Sequence, residues 1–242
     1  MSFGYLFLEV RRAMRSTRFL IFSLAFPVLL FLLYVGIFAN GDKAAVGVLM
    51  VNMTSFGALS AALFAGGRVA VERSLGWQRQ LRLTPLSGSG YLAAKGITGM
   101  LLALPAVILV PLVGAVAEGV SLDAEDWLRV TVGIWLAVIP FALIGLLIGQ
   151  VGTTESMQPI MSMTMMFMSL IGGIFIPIDS MPGWLSQIAH VLPSYWLGQV
   201  GRGAVTSHLS VNLGQAVLVL AGWAAVLGVA VVRRYRRDSA RV

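Results

Sequence analysis

Residues able to do chemistry are few and scattered along this 242-residue chain. It has two lysines, two histidines and no cysteine. Neither Lys43 nor Lys95 sits in a Gly-x-x-x-x-Gly-Lys-Ser/Thr setting, so the chain cannot build a P-loop phosphate cradle. His190 and His208 have no second ligand at helical spacing, which argues against a metal site. Neither Gly-x-Ser-x-Gly nor His-Glu-x-x-His occurs, which disfavours an intramembrane hydrolase. Without cysteine there is no disulfide framework and no thiolate site. Three groupings remain. Arg68, Glu72, Leu75, Arg79 and Arg82 recur at spacings of four, three, four and three, so they share a basic helical face suited to docking. Asn52, Thr54 and Ser55, followed by Phe56, form a polar group in an apolar run. Met161, Met165 and Met168 form a flexible thioether row that Gly172 continues.

The elements that must carry these groups are six apolar runs without a single charged residue or histidine: 19–39, 44–67, 96–117, 130–149, 156–178 and 209–232. Each approaches or exceeds the length of about 20 residues that crosses a hydrocarbon core. With 58% hydrophobic and 11% charged residues the chain lies far from the composition of a soluble domain, which has about 25% charged residues. The expected fold is therefore all-α: one polytopic membrane domain over 1–242 with six transmembrane helices. Ion-driven carriers keep ionisable groups inside the bilayer to bind the coupling ion. These runs hold none, so any driving energy is expected from outside the chain.

Charge distribution sets the expected topology. Fourteen of the 17 Lys and Arg residues fall in the N-terminal segment, the second connection and the C-terminal tail. Lys43, Arg129 and Arg202 fall in the other loops, which hold most of the acids. The positive-inside rule then places both termini in the cytoplasm. The basic excess is topology and attraction to lipid headgroups rather than a nucleic-acid footprint, because it is split among three short segments. The leading Arg11, Arg12, Arg15 and Arg18 resemble the front of a signal peptide, but the run after them is too long and lacks a convincing cleavage site, so it reads as retained.

Residues 1–18 read as an interfacial amphipathic helix, with Phe3, Leu6, Phe7, Val10 and Met14 on one face. The second connection, 68–90, reads as a charged helix to Leu83, a stop at Thr84-Pro85 and a turn at Ser87 to Gly90. Composition leaves two readings of it equal: a docking element, or a solvated extension of the second span. Residues 177–204 are too apolar for a free loop and too broken by Pro177, Pro182 and Pro193 for a span. They are expected to form short re-entrant or interfacial helices capping the outer side, with Trp184, Tyr195 and Trp196 at headgroup depth. An amphipathic loop lying on the headgroups is the alternative. The methionine row and the Asn52 group are each open to two roles, lining a pathway or packing between helices, and packing is the commoner one.

Three blocks resemble the membrane subunit of ABC type-2 exporters, across almost the whole chain. The first is Arg18-Phe19-Leu20 leading into Ala25-Phe26-Pro27. The second is Glu72-Arg73-x-x-Gly76, then Leu81-Arg82-x-Thr84-Pro85-Leu86-Ser87, then Tyr91 and Ala94-Lys95. The third is Gly172-Gly173-x-Phe175-x-Pro177, then Met181-Pro182-x-Trp184-Leu185 and Leu192-Pro193. Each is weak alone; together, in order and among six spans, they are specific.

The resemblance implies that the second block, with Arg68, Glu72, Arg73, Leu75, Gly76, Arg79, Arg82, Thr84 and Pro85, couples to a separate nucleotide-binding ATPase subunit. It implies that Pro177, Pro182, Trp184, Pro193, Tyr195 and Trp196 belong to an outer cap. It implies a pathway between two permease copies, more readily a homodimer, with Asn52, Thr54, Ser55, Phe56, Met161, Met165 and Met168 as candidate lining. The chain itself would bind no cofactor; ATP and Mg would be held by the partner. The expected function is ATP-driven export of an apolar or amphipathic compound, such as a drug, antibiotic or lipid-like molecule, across a bacterial cytoplasmic membrane. Export of a lipid-linked glycan is the alternative within the family. A non-transporting membrane anchor for a cytoplasmic partner is the alternative outside it.

Overall fold

The computed structural model describes residues 3–15, 21–76, 88–206 and 212–240, and all of its regular structure there is helical. Helix α1 spans Phe3–Met14. Helix α2, Phe26–Tyr34, is flanked by widened π-helical turns at Ile21–Ala25 and Val35–Ala39. Pro27 stands in its first turn, where the missing N–H and the ring's clash with the preceding turn favour such a widening. Asn40 and Gly41 then take left-handed backbone, and Asp42 caps α3 (Lys43–Gly66) by accepting from the Ala44 N–H at 2.9 Å.

Helix α4 (Arg68–Ser74) continues α3 beyond Gly67, and α5 spans Gly88–Ala117. Helices α6 (Ala124–Leu128), α7 (Ile134–Ala137) and α8 (Ile139–Val151) run on as one segment with a π-helical turn at Arg129–Gly133. After α9 (Met157–Ile171) come two short helices, α10 (Gly183–Val191) and α11 (Pro193–Val205), and finally α12 (Leu213–Ala240). Four helical stretches are long and apolar enough to cross a membrane: Lys43–Ser74, Gly90–Ala117, Ala124–Val151 and Leu213–Asp238.

Two of the expected spans are shorter. The apolar helical stretch nearest the N-terminus is Ser23–Ala39. The run 156–178 is not one helix: α9 stops at Ile171, and Gly173 turns the chain with φ +76°. Its 15 residues reach about 22 Å, less than a hydrocarbon core of about 30 Å.

Helix α3 is the centre of the molecule, with 72% of its most apolar window buried. It is packed by α5, α8, α11 and α2. Such burial needs small residues, because without water to drive association membrane helices gain from close backbone approach. Gly66 of α3 meets Gly145 and Gly149 of α8 backbone to backbone: a Cβ on Gly66 would fall 2.0 Å from the Gly145 carbonyl carbon, and one on Gly149 would fall 2.3 Å from the Gly66 oxygen. Around this seam Met50, Leu59, Leu63, Val107, Ile134, Phe141 and Leu197 form the main core.

Helix α1 lies differently from the simple lipid-facing expectation. Phe7 and Leu8 are exposed, but Val10 and Met14 pack on Ala65 and Leu102 of α3 and α5.

Candidate functional site

The end of the bundle that carries α4 holds a buried ion cluster built from three elements. Tyr91 and Lys95, one helical turn apart on α5, point at α4. Lys95 Nζ pairs with Glu72 of α4 and, at 2.8 Å, with Glu9 Oε2 of α1. The Tyr91 hydroxyl donates to Glu72 Oε2 at 2.6 Å. Lys95 is 3% exposed and Glu9 8%. Two arginines complete the joint by direct hydrogen bonds: Arg68 donates to the Glu9 carbonyl at 3.4 Å, and Arg73 donates to the carbonyls of Gly149 and Gln150 at the end of α8. Four helices are thus tied together at the point where the connection 75–87 begins.

This arrangement corrects the expectation of one continuous charged helix from Arg68 to Leu83. Helix α4 ends at Ser74, and Gly76 adopts φ +70° just past the end, the position where a left-handed glycine closes a helix. Glu72 and Arg73 turn inward to the bundle, Arg68 is half-buried, and Leu75 is 75% exposed. The row Arg68, Glu72 and Leu75 therefore does not act as a single outward face. Arg79, Arg82, Thr84 and Pro85 fall in 77–87, outside the described residues. The expected turn at Ser87 to Gly90 is also corrected, because Gly88, Ser89 and Gly90 already lie in the first turn of α5.

At the other end, α11 is drawn into the bundle. It packs on α3, α12 and the turn Arg129–Gly133. A Cβ on its Gly201 would meet Val51 and Ile134. Pro193 at its first turn is buried, and the Trp196 indole N–H donates to the His190 carbonyl at 2.7 Å, locking α10 to α11. Tyr195 is half-buried and stacks near His190 at 4.5 Å. The Trp223 indole of α12 holds the end of α10 by donating to Val191 O at 2.8 Å. Trp184 is exposed, as are Pro177 and Pro182. The proline-rich stretch is thus two short helices, one deeply packed.

Between these helices sits Arg202, 8% exposed. Its Nη1 donates to Asn52 Oδ1 of α3 at 2.9 Å and to the Gly173 carbonyl after α9 at 3.1 Å. The head folds back over Gly198, where any Cβ would fall 2.7 Å from Nη1. Thr54 and Ser55 are fully buried on α3; Thr54 donates to Met50 O, whereas Ser55 Oγ has no partner. Phe56 is buried against Phe175, with ring centroids 5.0 Å apart. Met161 is buried with its sulfur near Gly67, Met165 and Met168 are partly buried against the core, and Met163 and Met166 face outward. The Asn52 group and the inward methionine row therefore lie within the chain's own packing.

Sequence reasoning named Glu72 as a coupling residue and Tyr91 and Lys95 as part of the same block, but it missed their pairing with Glu9, and it counted Arg202 only as a topological charge. Signals existed. Tyr91 and Lys95 share a helical face, Glu9 is the one acid of its segment, and Arg202 is an isolated charge between Gly201 and Gly203 in an otherwise apolar stretch.

With this geometry in place, comparison with known proteins is informative. The sequence profile of ABC-2 family transporter proteins matches residues 39–233. A protein of Bacillus subtilis (strain 168) named "Putative transport permease YvfS" is 28% identical over 194 residues, covering 78% of this chain and 79% of that protein.

Proposed function

The chain belongs to the ABC-2 transporter family, and from that premise we propose that it is the permease subunit of an ATP-driven exporter for an apolar or amphipathic compound. The observation that carries the reading is the family match over 39–233 in a chain that has no phosphate cradle of its own. Energy then comes from a separate ATPase subunit that holds ATP and Mg. Its docking surface is the connection 75–87, beginning at the exposed Leu75 and anchored by α4 through the Lys95 cluster.

Six crossings follow if the two shorter apolar helices also traverse the bilayer, and the charge asymmetry then keeps both termini cytoplasmic in a bacterial cytoplasmic membrane. Helices α10 and α11 form the outer cap, α11 re-entering to the depth of Arg202. Two copies enclose the pathway, since the central helix of one chain is already mostly buried among its neighbours in the described residues.

The test is reconstitution of the chain with a P-loop ATPase encoded beside it, in proteoliposomes containing a fluorescent amphiphile. ATP-dependent movement across the membrane that stops when the ATPase is inactivated is the expected result. A complex that assembles but moves no amphiphile and shows no stimulated ATP hydrolysis would instead mark the chain as a membrane anchor.

A further inference from the structure

Arg202 is a buried cation with no carboxylate in direct contact; the exposed Asp179 acts on it only at longer range. All ten Asp and Glu side chains lie among the described residues, and none is within ion-pair distance of its guanidinium. Its Nη1 contacts, Asn52 Oδ1 and Gly173 O, are neutral acceptors. A charge held this way is costly unless an opposite charge meets it.

Asn52 of α3, Gly173 after α9 and Arg202 of α11 meet here, and three or four positions along the chain from each stands a buried polar atom that has no hydrogen-bond partner. They are Ser55 Oγ on α3, Ser169 Oγ on α9 and Gln199 Oε1 on α11. Both serine side chains are fully buried. Two hydroxyl donors and a guanidinium are the donor set for a phosphate or carboxylate, and the Gln199 oxygen can accept from a hydroxyl of the same headgroup. Phe56 and Phe175, which follow Asn52 and Gly173 on the same two segments, contact each other and supply apolar surface there.

We propose that Arg202, with Asn52, Ser55 and Ser169, forms a recognition site for the anionic headgroup of an amphiphile. In taking that amphiphile to be cargo, the inference rests on the export reading above. The same chemistry is offered by an anionic phospholipid of the bilayer and by a dissolved anionic amphiphile, and the test separates the two.

The full chain in phosphatidylcholine nanodiscs is titrated with oleoyl lysophosphatidate and with monoolein, which share a chain and differ in the phosphate. The wild-type protein is expected to bind lysophosphatidate at least about tenfold more tightly, the scale of one charge-assisted contact. Arg202→Gln should erase that preference, bringing lysophosphatidate binding to the level of monoolein. Asn52→Asp is the sharper variant, and it decides the question if Arg202→Gln fails to fold. It keeps the guanidinium and its hydrogen bond but supplies an internal counter-ion, so the preference should vanish in a stable protein. A purely structural clamp would leave the preference untouched. Equal binding of the two probes, no lysophosphatidate binding, or a preference that survives Asn52→Asp overturns the proposal.

Repeating the titration in phosphatidylglycerol nanodiscs identifies the source. Suppressed binding means that bilayer lipid fills the site, and unaltered binding means that a dissolved amphiphile does; either outcome supports an anionic-headgroup site. ATP-driven transport without the charge preference would remove this site and leave the exporter standing. A preference without any ATP-driven transport would do the reverse.

Discussion

Lys95 shows how much a single buried charge can decide. Its ammonium is nearly inaccessible and sits between two carboxylates from helices that are distant in sequence. Isolated surface ion pairs contribute little to stability, but removing one member of a buried set leaves the others as uncompensated charges. Lys95→Met is therefore expected to destabilise the protein by about 3–5 kcal/mol, because Glu9 and Glu72 would lose the ammonium that both of them contact. The triple variant Lys95→Met, Glu9→Gln and Glu72→Gln should recover most of that loss, since three neutral groups of similar shape can share the site. Thermal unfolding of the purified variants in detergent measures both. If the triple variant is no more stable than the single one, packing rather than charge dominates the joint.

At the scale of elements, α4 and the residues after it divide their work. Helix α4 faces inward, with Glu72 and Arg73 committed to α1, α5 and α8. Leu75 and Gly76 turn outward immediately beyond it. Leu75→Asp changes an exposed side chain with no partner in the chain's core, so it should fold and insert normally. If the connection docks on an ATPase subunit, the variant should lower transport-stimulated ATP hydrolysis several-fold. Unchanged stimulation would place the docking surface elsewhere.

The same elements explain what could be read without coordinates. Apolar runs such as 44–67 and 209–232 are legible because lipid tolerates only self-satisfied, apolar helices. The end of α4 was legible too, in Gly76, but a regular spacing of charges through Leu83 masked it. The members of the Lys95 cluster stood out singly, but their pairing was not legible, because the partners lie 86 and 23 positions away and only the packing of α1 and α4 against α5 brings them together. Arg202 was placed on the wrong side of the same divide. Positive-inside counting treats every charge as solvent-facing, and only the fold draws α11 under α3.

For the whole molecule, the remaining question is how the bundle sits in its membrane. The four long apolar helices Lys43–Ser74, Gly90–Ala117, Ala124–Val151 and Leu213–Asp238 are an even set. Adding the shorter helices Ser23–Ala39 and Met157–Ile171 keeps the number even, so the termini share a side whenever both shorter helices cross or neither does. If only one crossed, the termini would lie on opposite sides. The chain ends in a basic helical tail, Arg233, Arg234, Arg236 and Arg237, and begins with Arg11 and Arg12 on α1. Both ends thus carry the cation excess that holds a segment on the cytoplasmic side. Because the chain has no cysteine, single-cysteine variants report cleanly. Ser2→Cys and Ser239→Cys should both be protected from an impermeant maleimide in intact cells and react after the membrane is opened. Ser180→Cys, between α9 and α10, should react from outside in intact cells. Labelling of one terminus but not the other would mean an odd number of crossings, with one of the two short helices lying in the interface; labelling of both would invert the molecule and move the ATPase connection to the wrong face.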